Sequence, residues 1–178
     1  MSDERPLPEL GVAEMEAVAR LWRATRREVV CRFGGTSMVP SVPPQAEVRL
    51  CCGEQGGLGS VIAFLEGGRV IVHRVVALSA RAGWILTRGD GRLLPDAPIR
   101  DLQDVIGRVA GVRAGASFVD PAPPPHSAAQ WLVLWPVVLA LRAHPGGGAA
   151  LLRALLRARR AALRVMAAVR RKLSAVPR

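Results

Sequence analysis

The stretch Val70-Ile71-Val72-His73-Arg74-Val75-Val76 constrains the fold most. Five of these seven residues are β-branched, a side-chain class that packs well on a pleated surface and loses rotamer freedom in a helix. Strand alternation puts Ile71, His73 and Val75 on one face and Val72, Arg74 and Val76 on the other. Such a strand needs partners, and the chain supplies them. Glu47 to Cys51 and Ser60 to Phe64 are short β-rich runs separated by a glycine-rich turn, Gly53 to Gly59. Ile85-Leu86-Thr87-Arg88 runs into a Gly89-Asp90 turn, and Asp104-Val105-Ile106-Gly107-Arg108-Val109 is a strand with an embedded glycine. The pattern predicts a mainly β core over 33–119.

The flanks read differently. Val12 to Arg27 predicts one helix, with Met15, Val18 and Trp22 on a single face. Its acidic residues lie early and its basic ones late, which suits the helix dipole. Residues 1–32 therefore form an N-terminal helical segment. Asp120-Pro121-Ala122-Pro123-Pro124-Pro125 ends the core as a stiff linker. Within the linker region 120–148, Trp131 to Leu141 is apolar but too short to span a bilayer, which needs about 20 residues. After Gly146-Gly147-Gly148, residues 149–178 predict a basic amphipathic helix. Leu152, Leu155, Leu156, Leu163 and Met166 lie on one face, and Arg153, Arg157, Arg160, Arg164 and Arg171 on the other.

The formal charge of +11 is concentrated in that tail. Residues 145–178 hold nine basic and no acidic residues, and the remaining 144 are near balance at +2. The basic tail is compatible with an anionic membrane surface, with packing on a protein, or with nucleic-acid phosphates. The tail helix has no aromatic residues for base stacking, so nucleic acid is not an expected partner. Peripheral membrane contact through 131–173 is the first expectation. No apolar signal segment opens the sequence, which predicts a cytoplasmic or peripheral-membrane location. Cys31, Cys51 and Cys52 lack metal-type spacing and cannot all pair. They read as reduced thiols, with the adjacent Cys51 and Cys52 on opposite faces of a strand. No metal or cofactor is expected.

Chemistry concentrates at Gly34-Gly35-Thr36-Ser37-Met38-Val39-Pro40-Ser41. The glycines permit close backbone approach and Pro40 stiffens the turn, so Ser37 is presented like a nucleophile. The base has few candidates. The only lysine is Lys172, close to the C-terminus. Of the three histidines, His126 lies in the proline-rich linker and His144 beside Pro145-Gly146. His73 sits in the core strand, and imidazole accepts a proton near neutrality. Asp90 and Asp96 are both candidates to orient it, and these residues alone leave the choice open.

The order Ser-Met-x-Pro, His-Arg-Val, Thr-basic-Gly-Asp, Ile-Gly-Arg-Val resembles the type I signal peptidase family. The similarity is closest to its histidine-type branch, as in archaea and the eukaryotic endoplasmic reticulum, and runs from Gly34 to Val112. The resemblance implies a signal-peptidase-like β core and a serine endopeptidase with Ser37 as nucleophile, His73 as base, and Asp90 or Asp96 as its partner. It also implies an extended leader, signal or precursor peptide as substrate, with small side chains before the scissile bond. The chain departs from the family in having no transmembrane span before the serine. It also has Gly35 where many relatives carry an oxyanion-binding serine. The alternative is a catalytically inactive module of the same fold, attached to a membrane or partner through the basic helix.

Overall fold

The computed structural model describes residues 11–121, 134–139 and 141. The chain divides into two units, Met1–Pro125 and His126–Arg178. The first is mainly β. A helix α1 (Val12–Thr25) precedes seven strands: β1 (Glu28–Phe33), β2 (Ala46–Cys52), β3 (Val61–Glu66), β4 (Arg69–Ser79), β5 (Trp84–Arg88), β6 (Val105–Ala114) and β7 (Ser117–Val119). All pair antiparallel in one sheet of order β1-β2-β6-β3-β4-β5, with β7 added on β6.

The helix ends earlier than the sequence pattern predicts. Arg26 takes a left-handed conformation at φ 50°, and Glu28-Val29-Val30-Cys31-Arg32-Phe33 begins the sheet at once. Residues 28–32, expected in the N-terminal helical segment, are instead the edge strand leading to Ser37. The adjacent β-branched Val29 and Val30 favour β over helix. At its other end the helix is capped by Glu14, whose Oε2 accepts from the Gly11 N–H at 2.8 Å.

Both faces of the sheet are buried. On one, Val61, Ala63, Val72, Ile106 and Val109 pack with Met38 and Val42, and Ala19 and Trp22 of α1 close the layer. On the other, Ile62, Phe64, Val75, Ile85, Ile99 and Val105 form a second cluster. The embedded glycine of β6 has a steric reason. A Cβ on Gly107 would stand 2.3 Å from the Cys51 carbonyl oxygen, so only glycine lets β6 lie against β2 there. Cys51 and Cys52 diverge as alternation requires: Cys52 joins the core, and Cys51 donates to Glu28 at 3.6 Å. Burial pushes all three thiols above their ordinary range, which disfavours a thiolate nucleophile.

In the second unit, residues 134–139 are helical. Leu134, Val137, Val138 and Leu141 are buried, and Trp135 and Leu139 are exposed. Among the described residues no helix is long and apolar enough to cross a membrane. The amphipathic helix expected over 149–173 lies outside the described residues.

Candidate active site

Ser37 follows β1 through Gly34, Gly35 and Thr36. The Phe33 ring lies 2.8 Å from where a Cβ on Gly35 would stand, so a side chain there would displace the ring. The loop then turns tightly: the Val39 N–H donates to the Thr36 carbonyl at 3.3 Å and the Val42 N–H to the Met38 carbonyl at 3.0 Å. Met38 and Val42 are fully buried pegs. Removing a buried methionine side chain typically costs about 2–5 kcal/mol, so this anchorage resists displacement of the loop. A third tie comes from across the site, where the Gly91 N–H donates to the Ser37 carbonyl at 2.9 Å.

His73 reaches the same point from β4. Its Nε2 lies 2.9 Å from Ser37 Oγ. Its Nδ1 lies 2.6 Å from Asp96 Oδ2. The carboxylate makes Nδ1 the protonated nitrogen, which turns the Nε2 lone pair towards the serine hydroxyl. His73 is buried, with Phe64 edge-on to its ring at 6.3 Å between centroids. Asp96 is placed by a return of the chain along β5. Its N–H donates to the Thr87 carbonyl at 2.8 Å, and Ile99 bridges Ile85. The Thr87 hydroxyl donates to the same Oδ2 at 2.7 Å. Both lone-pair directions of that oxygen are thereby used, which fixes the carboxylate plane against the imidazole.

Asp90 does different work. It is buried and forms a forked pair with Arg74, at 2.7 Å from Nη2 to Oδ2 and 3.0 Å from Nε to Oδ1. Arg74 also donates to the carbonyls of Gly59 and Pro121. Of the two aspartates left open by sequence, Asp96 therefore stands on His73, and Asp90 ties the turn after β5 to the strand carrying His73. Gly89 closes the arrangement, since its Cα side faces both Ser37 and His73. A Cβ there would meet the Ser37 carbonyl at 2.6 Å and His73 Nε2 at 3.0 Å.

Thr87 and Arg74 are not singled out by sequence reasoning. Alternation carries a signal for Thr87: it pairs with Val75, two residues from His73 and on its face. Arg88, opposite Arg74 in the β4–β5 register, is 2 % exposed, and its Nε has no acceptor among the described residues. Burial holds its guanidinium below the usual range, with Asp90 and Asp96 opposing that effect. A groove of about 430 Å³ runs beside the nucleophile loop, lined by Pro40, Ser41, Pro43 and the ends of β6 and β7, and excludes Ser37 and His73 themselves. Among the described residues no group of three or more His, Cys, Asp or Glu side chains is placed to hold a metal ion.

Comparison with known proteins gives no match, whether to family models, curated proteins or solved structures.

Gly89→Ala tests whether this packing matters to chemistry. The added methyl must move the nucleophile loop or the imidazole. Misplacement by about 1 Å can cost about a hundredfold in rate. The expected result is a loss of that order in acylation by a serine-directed probe, with a cooperative thermal transition retained in the same sample. An unchanged acylation rate would mean that the loop yields without consequence.

Proposed function

We propose that this chain is a serine endopeptidase of the signal-peptidase type that cleaves a leader or precursor peptide. The observation that carries the reading is the continuous contact from Ser37 Oγ through His73 to Asp96, at 2.9 and 2.6 Å. Each separation lies within hydrogen-bond reach, as proton transfer requires. Ser37 Oγ attacks the scissile carbonyl carbon while its proton passes to His73 Nε2. Asp96 stabilises the resulting imidazolium without taking the proton itself. Collapse of the tetrahedral intermediate breaks the C–N bond, and Nε2 returns the proton to the leaving amine. Water, deprotonated by the same nitrogen, then hydrolyses the acyl-enzyme and regenerates Ser37.

The oxyanion needs donors, and Gly35 offers no hydroxyl. Among the described residues no backbone carbonyl accepts from the N–H groups of Ser37 and Met38. These groups are our assignment for the oxyanion, with the Thr36 hydroxyl at the exposed rim as the alternative. One such donor is typically worth about 3 kcal/mol in the transition state. The open edge of β1, which leads directly to Ser37, supports an extended peptide as substrate.

The test is a serine-directed acylating probe on the native chain, read by intact mass and peptide mapping. The expected result is a single adduct on Ser37 of the native chain and none on the Ser37→Ala chain. A folded chain that takes no adduct at any pH would leave the same fold as a peptide-binding module.

A further inference from the structure

Arg92 places an unmatched cation at the mouth of this site. Its N–H closes the turn after β5 on the Gly89 carbonyl at 2.9 Å. Its Cγ lies 3.0 Å from the point where a Cβ on Gly89 would stand, and His73 Nε2 lies 3.0 Å from that same point. Arg92 Cγ and the ring nitrogen are thus at most 6.0 Å apart, the sum of those two distances. The guanidinium is exposed, and among the described residues it has no ion-pair or hydrogen-bond partner. Three arginines of the sheet differ: Arg108 is held by Glu54, Arg113 by Glu47, and Arg74 by Asp90.

The neighbouring charges leave a positive balance. Asp90 is matched by Arg74, which leaves Asp96 as the one other carboxylate within 84–99 to set against Arg88 and Arg92. The chemistry also fixes a side. His73 Nε2 delivers a proton to the leaving amine, so the segment after the scissile bond departs past that nitrogen. Arg92 Cγ lies within 6.0 Å of the same nitrogen, and an arginine fork matches a carboxylate in bidentate geometry.

We propose that Arg92 selects peptides carrying a carboxylate side chain at the first or second residue after the scissile bond. This rests on the serine-peptidase reading and names a substrate class for it.

The experiment compares internally quenched peptides that differ only there, with Glu, Gln or Lys, on the full chain and its Arg92→Gln and Arg92→Glu variants. The readout is the ratio of kcat/KM between peptides at low and high salt. The native chain is expected to favour Glu over Gln about fivefold, the scale of one good exposed ion pair, and less in high salt. Arg92→Gln should bring the ratio to one, and Arg92→Glu should turn it towards Lys. Equal rates for Glu and Gln in the native chain, or a preference that survives Arg92→Gln, overturn the proposal. The same peptides are also bound to the Ser37→Ala and Ser37→Ala/Arg92→Gln chains and followed by fluorescence anisotropy. Absence of turnover with an Arg92-dependent preference in binding would overturn the peptidase reading and keep the carboxylate site. Binding that ignores both the Glu and Arg92 overturns the carboxylate site.

Discussion

Ser37→Ala will abolish both probe acylation and peptide hydrolysis, and His73→Ala will do nearly the same. Removing either member of such a pair in a serine peptidase costs on the order of 10⁶ in kcat. The two losses should not add. Once the hydroxyl is gone the imidazole has no proton to take, and without the imidazole the hydroxyl stays protonated. The Ser37→Ala/His73→Ala chain should therefore be no slower than either single variant. Stability should separate the two. The Ser37 side chain is half-buried and, among the described residues, makes one hydrogen bond, to His73, so its loss should cost about 1 kcal/mol. His73 is buried, packs against Phe64 and satisfies Asp96, so its loss should cost more. Rates from intact mass and unfolding midpoints from the same preparations check both statements. Acylation that persists in Ser37→Ala would sink the assignment of the nucleophile.

Much of this site is legible in the amino-acid sequence. The alternation of Val70 to Val76 marks a strand and puts His73 on the opposite face from Arg74, as the sheet has it. Scarcity helps as well: with one lysine at the far end of the chain and two histidines in Pro- and Gly-rich surroundings, His73 is the remaining base. These are local signals, carried by residue type and period.

What sequence leaves open depends on register between distant segments. Asp96 reaches His73 because the chain after Pro95 returns antiparallel to β5, pairing Ile99 with Ile85. Nothing local in Leu93 to Ile99 announces that return. The sheet order has the same character, since β6 inserts between β2 and β3. Period alone places Arg74 on the alternate face of a strand and says no more. Its role emerges only because both faces of this sheet are covered, which leaves its charge in need of the buried Asp90. The boundary of α1 moves for a local reason: the propensity of Glu28 to Phe33 for strand outweighs the helical charge pattern that precedes it.

The two aspartates give the sharpest separation of chemistry from architecture. Asp96→Asn should fold normally and fail at catalysis. With its amide nitrogen in the Oδ2 position, the asparagine can donate to the Thr87 hydroxyl oxygen, so the loop keeps its place. Its amide can also donate to His73 Nδ1, which selects the tautomer protonated at Nε2. That nitrogen then faces the serine with a proton and cannot take another. The same substitution in a serine protease triad costs about 10⁴-fold in kcat, and a loss of that size is expected here with a small change in unfolding midpoint. Asp90→Asn should do the reverse. It leaves the Arg74 guanidinium, 4 % exposed, without its counter-charge, and breaking a buried pair from one side typically costs about 3–5 kcal/mol. Arg88 also loses the first of the charges that favour its protonated form, which places the expected cost at the upper end. Any loss of rate should follow the fraction unfolded and recover at lower temperature, which Asp96→Asn would not do. Replacing the pair together, Arg74→Met with Asp90→Leu, removes the orphaned charge and should be less destabilising than Asp90→Asn alone. Denaturant titrations of the three chains beside acylation rates decide the matter. If Asp90→Asn loses rate in a fully folded chain while Asp96→Asn does not, the roles assigned to the two carboxylates are reversed.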